Sequence, residues 1–201
     1  MSEIIRLFPD RLNLNGDQAN ALVMQKRAAW AGLSIDVVDY EDLSTLEPLI
    51  SRIANSDAPV LVILGHGSRA AMSSISHLKS QVEALLATCK DKRHTVLVIG
   101  SSTEWLLDHS QGERSSEFWA GQVSYEDGEF EVVGYLNSQA SLDPIWVDGS
   151  LFYTLLHGPV LAKSSAFADY LILKLTGKRV VSQKIVEISG YENEAIKTAL
   201  G

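Results

Sequence analysis

The chain has 201 residues, 46% of them apolar and 21% charged, and a formal charge of −8. That is enough for one sizeable core, or at most two small ones, and the negative balance argues against non-specific nucleic-acid binding. No apolar run reaches the ~18 residues of a membrane span, the opening MSEIIRLFPD lacks a signal-like apolar stretch, and the single cysteine, Cys89, permits no intramolecular disulfide, so the expected compartment is the cytoplasm.

In chain order, residues 4–8 (IIRLF) read as a strand ended by Pro9. Residues 16–32 read as a helix with Ala19, Leu22, Val23 and Trp30 on one face, Asp17 placed to cap it and Gly32 to end it. Residues 34–40 are a second strand and 43–55 a second helix. The continuous apolar run at 59–65 (PVLVILG) marks a strand buried on both faces. One long helix is expected over 69–89. TVLVIG, starting at Thr95, is another buried strand, and Gly100-Ser101-Ser102 turns it into a further helix.

This β-α alternation predicts an α/β fold, a three-layer mostly parallel sheet with helices on both faces. Ligand sites on such sheets lie at the carboxyl ends of the strands. The turns at 64–68 (LGHGS) and 99–102 (IGSS) should therefore share one edge and one crevice. The second half changes character. Two strand-like runs flank Glu126-Asp127-Gly128 and predict an antiparallel hairpin near 118–136 added to the sheet. Residues 150–160 read as a strand broken at His157-Gly158-Pro159. Residues 164–175 are helical with Ser164 or Ser165 as cap, and 182–200 form one or two last helices. No repeat, low-complexity segment or dividing linker appears, which implies one domain over 1–201.

Three features carry candidate chemistry. His157, at a strand end, has the intrinsic pKa of a general base; the bland alternative is a histidine bonding a loop carbonyl. Ser101 or Ser102, on a tight strand-to-helix turn, could present a nucleophilic hydroxyl, but neither frame completes the Gly-x-Ser-x-Gly elbow. Serine is also a favoured helix cap, and capping is the expected role. Gly65-His66-Gly67 could hold an anion on backbone N–H groups, yet it matches neither the P-loop nor the dinucleotide pattern, so an ordinary loop is expected. His77, His94 and His109 are scattered and expected to be solvated; no metal or other cofactor is expected. Cys89 reads as a structural thiol.

Several stretches together resemble a known family. Phe8-Pro9-Asp10, Asn13 to Asp17, Gln25 to Leu33, and the block LLHGPVLAKSSAFADYLI around His157 are similar to the cobyric-acid-synthase type of glutamine amidotransferase domain. Within that type the stretches resemble amidotransferase subunits that work with a Mur-ligase-like partner to amidate peptidoglycan precursors. The resemblance implies a class I glutamine amidotransferase, flavodoxin-like fold. It also implies an elbow cysteine that attacks glutamine's side-chain amide to form a thioester and release ammonia, with the histidine at position 157 as base.

The chain departs from that pattern at the site. The family elbow reads roughly Ile-Cys-Gly-Gly-Tyr-Gln; here it is Ile99-Gly100-Ser101-Ser102-Thr103-Glu104, so Gly100 holds the nucleophile's place. The family's Gly-Gly-Gly-Gln-Asp turn has become Gly65-His66-Gly67-Ser68-Arg69, and its Gly-Phe-Glu-Asn-His has become Gly134-Tyr135-Leu136-Asn137-Ser138. Without a thiol the thioester route is closed, and the altered turns weaken the expectation of glutamine binding. Three readings stay open, of which these departures favour the first: a non-catalytic binding or scaffold subunit for a ligase-like or synthetase partner; an active glutamine amidase or amidotransferase using Ser101 with His157; and a small-molecule sensor using a crevice of Gly65, His66, Gly67, Ser68, Ser102 and Glu104.

Overall fold

The structure, a computed structural model, describes residues 2–108, 113–125 and 128–200. His109 and the Glu126-Asp127 part of the expected hairpin turn lie outside the described residues. Strands β1 (Ser2–Leu7), β2 (Ile35–Tyr40), β3 (Val60–Leu64) and β4 (Thr95–Ile99) alternate with helices α1 (Gln18–Trp30), α2 (Glu47–Ala54), α3 (Arg69–Ile75) and α4 (Lys79–Asp91). After α5 (Ser101–Leu107) come β5 (Ser115–Tyr125), β6 (Gly128–Ser138), β7 (Ile145–Asp148), β8 (Leu151–Thr154) and β9 (Leu156–His157). Helices α6 (Val160–Lys163), α7 (Ser165–Thr176) and α8 (Gln183–Leu200) complete the order. The main sheet runs β2-β1-β3-β4-β8-β7, parallel except for β7.

Every residue of β3 and β4 is buried, as their unbroken apolar runs predict, because helices cover both faces. Alternation along the strands sorts their side chains into two layers. Ile4, Leu61, Ile63, Leu97, Ile99 and Phe152 join a core with α1 and α7. Ile5, Leu7, Val62, Leu64, Val96 and Val98 join the core under α2 and α4. Each fully buried Leu, Ile or Val contributes roughly 1.5–3 kcal/mol, so the scaffold follows from these runs.

Several expectations need correction. The hairpin does not extend the main sheet; β5 and β6 form a separate three-stranded sheet with β9. The short β7, not foreseen, occupies the edge of the main sheet beside β8. The long helix over 69–89 is broken by a 3-10 turn at Ser76–Leu78. There Ser74 and Ser76 donate to the carbonyls of Ala71 and Ser73 at 2.7 and 2.8 Å, bonds that compete with the helical ladder.

On α1 the buried face is Asn20, Ala21, Met24, Arg27 and Ala28, whereas Leu22 is 52% exposed. Two polar residues take core places because each has partners. Arg27 forms two 2.7 Å bonds to Asp169 of α7, and Asn20 Oδ1 accepts from Leu161 N at 2.9 Å. Asp17 and Ser164 sit at the N-caps of α1 and α7, but neither side chain caps its helix. Ser164 Oγ instead accepts from Val133 N at 3.0 Å and ties α7 to β6. His94 is buried at 3% exposure, with Nε2 3.3 Å from Ile53 O; His77 is exposed as expected.

Candidate functional site

The sheet topology brings the ends of β3 and β4 to one edge, and β9 closes the opposite wall. Between them lies a cleft of about 800 Å³. It is lined by His66, Gly67, Ser68, Ser101, Glu104 and His157, so both glycine turns and the candidate base do share one crevice. A volume of that order suits a small organic ligand. Two expected crevice residues are placed differently: Gly65 lies outside the lining, on the side of Leu12 and Asp17, and Ser102 is fully buried behind the turn, donating to Gly65 O at 2.7 Å.

The elbow keeps a demanding backbone. Gly100 has φ 57° and ψ −120°, a region essentially reserved for glycine unless surrounding structure enforces it. Its N–H donates to Thr154 O at 2.7 Å, which locks β4 to β8 at the turn. A Cβ built on Gly100 would meet His66 Nδ1 at 2.6 Å and the ring's Cγ at 3.2 Å. The space into which a side chain at this position would project is therefore filled by an imidazole from the neighbouring turn.

That imidazole is held on two sides. His66 Nδ1 accepts the Ser101 backbone N–H at 3.0 Å, and the His66 backbone N–H donates to Asp17 Oδ2 at 3.2 Å. Gly65 permits this, since a Cβ there would lie 2.1 Å from Leu12 O. Ser101 Oγ accepts from Gly67 N at 2.9 Å and donates to Gly67 O at 2.9 Å. Ser101 and Ser102 are thus not caps of α5, the expected role; both hydroxyls stitch the two turns together. Gly100 itself occupies the N-cap position. Among the described residues no hydrogen bond joins Ser101 to His157.

His157 ends β9, paired to Tyr135 of β6. Its Nδ1 faces Asn15 Nδ2 at 3.3 Å, and its ring lies 4.2 Å from that of His66, tilted by 38°. Burial, followed by the repulsion of His157, pushes the His66 pKa down to about 4. Burial and then the cations Arg114 and Lys163 lower that of His157. Both rings are therefore neutral at pH 7. Asp17, 2% exposed, is driven the other way: desolvation raises its pKa to about 6, and its Oδ1 is buried with no partner among the described residues. Glu104 accepts a hydrogen bond from Ser138 Oγ on β6.

Sequence reasoning placed Arg69 in the 65–69 turn of the crevice but missed Asn15, Arg114 and Asn137 among other contributors to its lining. Asn15 lies inside the Asn13-to-Asp17 stretch and was the most findable of them. Arg114 and Asn137 bond each other at 2.7 Å, a pairing that only the β5–β6 register creates. Cys89 stays remote from the cleft, buried in α4 with its thiol pushed up to about 12. No group of three or more His, Cys, Asp or Glu is placed to hold a metal among the described residues, and no described helix is long and apolar enough to cross a membrane.

The parallel sheet, its elbow and the second sheet carrying His157 define a class I glutamine amidotransferase-like fold. One solved structure agrees in fold. The chain is similar to the glutaminase domain of Trypanosoma brucei CTPS, solved with bound acivicin, at a TM-score of 0.51 and 11% identity. The match covers 91% of this chain and 98% of that one. A glutamine amidotransferase from Thermotoga maritima aligns at a TM-score of 0.45 and 14% identity, over 99% of this chain and 94% of that one. No protein-family model matches the chain, and no curated protein matches it.

Proposed function

We propose that this protein is a non-catalytic relative of the glutamine amidotransferases that acts as a binding or scaffold subunit. The observation that carries the reading is the His66 imidazole standing 2.6 Å from where a Cβ at Gly100 would be. An elbow without a side chain supplies no nucleophile, and glycine offers nothing to replace a thiolate. The two amides nearest the elbow are also occupied, Ser101 N by His66 and Gly67 N by the Ser101 hydroxyl. Donors already bonded to protein atoms are not free to hold a developing oxyanion.

The resemblance of the blocks at Phe8 to Leu33 and around His157 supports the cobyric-acid-synthase type. It also supports a Mur-ligase-like or other synthetase partner in the cytoplasm, in a system that amidates cell-wall precursors. The test is ammonia release from glutamine by the chain alone and with such a partner co-expressed. The expected result is none, with no response to a glutamine-directed thiol alkylator. Glutaminase activity lost in Ser101→Ala or His157→Ala would overturn the reading and establish the serine amidase instead.

A further inference from the structure

The floor of the cleft has a fixed polarity. An amide NH₂ and a backbone N–H can only donate, so Nδ1 of His157, facing Asn15 Nδ2, and Nδ1 of His66, facing Ser101 N, are both acceptors. In a neutral imidazole the proton then sits on Nε2. Neither Nε2 has a protein partner among the described residues, and neither is a buried orphan, so both reach the solvent of the cleft as N–H donors. The floor therefore presents two neutral donors side by side, where a nucleophile and its base would otherwise stand.

The charged walls are unevenly satisfied. Asp108 is ion-paired to Lys79, and Glu104 holds the Ser138 hydroxyl. Arg69 lines the cleft with no hydrogen-bond or ion-pair partner among the described residues, and Arg114 has a neutral amide, Asn137. Burial is the main cause of the lowered His157 pKa, and the nearby cations Arg114 and Lys163 lower it further. Met72, Trp105 and Leu14 add apolar wall, which suits a ligand with a carbon body. The lining carries two guanidiniums and two carboxylates, one of which Lys79 neutralises, so the hollow is rich in donors and holds one unpaired guanidinium, Arg69, among the described residues.

We propose that the cleft is a receptor for a small organic anion, whose carboxylate or phosphoryl head is held by the Nε2–H groups of His66 and His157 and by Arg69 and Arg114. The proposal rests on the non-catalytic reading and gives that binding subunit its ligand class. An anionic head takes up both imidazole donors and the free guanidinium together, which a neutral amide cannot do as well.

Isothermal titration of the full chain at pH 7.5 and low salt tests it. The probes are glutarate, glycerol 3-phosphate, inorganic phosphate and the uncharged diamide glutaramide. Glutarate or glycerol 3-phosphate should bind one to one, at least tenfold tighter than glutaramide, and the better of the two identifies the head group. Arg69→Gln and Arg114→Gln, both at exposed positions, should each weaken binding about fivefold or more. His157→Phe, which keeps a ring beside His66 and removes the donor, should do the same. No binding by either organic anion at 10 mM, inorganic phosphate binding as tightly as both, or affinities unchanged in the three variants would overturn the proposal. Glutamine bound more tightly than the anions, without ammonia release, would overturn it while leaving the non-catalytic reading intact. Glutamine hydrolysis would end that reading first.

Discussion

The β4–α5 turn keeps a demanding backbone and carries no side chain, whereas the β3–α3 turn one strand away has no positive φ and supplies the side chain. Gly100 at φ 57° is arranged as though to display an attacking atom. His66 fills the room that atom would need and caps the amide beside it. The difference teaches that the two turns are one unit. The elbow geometry survives because His66, Ser101 and Ser102 bond it to the 65–67 backbone, which over-determines a conformation costly in isolation.

The largest expected effect comes from forcing a side chain into that room. Gly100→Ala combines backbone strain with overpacking against His66, and should cost about 2–5 kcal/mol in urea unfolding. In a His66→Gly background the packing part should vanish, so the double-mutant cycle should show coupling of about 1–3 kcal/mol. Equal costs in the two backgrounds would mean that the turns are independent.

Acid titration sharpens the same pairing with effects on the order of 3 kcal/mol. His66 is depressed from 6.5 to about 4. Its contribution is fully present above pH 6.5 and is lost as pH falls through 4. Asp17, bonded to the His66 N–H, is raised from 3.8 to about 6. Its contribution is present below pH 3.8 and is lost as pH rises through 6. The two oppose each other over one window. Stability of His66→Gln minus that of wild type should therefore rise as pH falls from 6.5 to 4, and that of Asp17→Asn minus wild type should rise as pH rises from 4 to 6. Parallel slopes in unfolding midpoints measured across that range would contradict the assignment of the two shifts to these groups.

The smallest effect concerns the stitching itself. Ser101→Ala removes the donor to Gly67 O and leaves Gly67 N without its acceptor, and should cost about 1–2 kcal/mol. If Ser101 were instead a cap of α5, the loss would appear as fraying of that helix while hydrogen exchange at Gly67 stayed unchanged. Faster exchange at Gly67 is the expected result.

The elements themselves were legible where local pattern and burial agree. β3 and β4 read as doubly buried strands because they lie between two helical layers, and Gly32 ends α1 with φ 72° as a left-handed stop. The face of α1 was not legible. Periodicity weighs apolar residues, and Arg27 and Asn20 enter the core through partners on α7 and α6 that no local pattern reveals. The cap roles of Asp17, Ser101 and Ser164 failed for a related reason: each side chain found a tertiary partner instead of its own helix.

The sequence by itself determined the α/β order, the shared edge of the two glycine turns, the place of His157 at a strand end, and the glycine at the elbow. These depend on apolar runs, turn residues and residue identity, all of which are local. Only the tertiary structure decided that His66 occupies the elbow's empty room, that the hairpin builds its own sheet with β9, and that Arg114 lines the cleft. Those outcomes depend on contacts between residues far apart in the chain, where distance, exposed donors and unneutralised charge are set by how the two sheets close on each other.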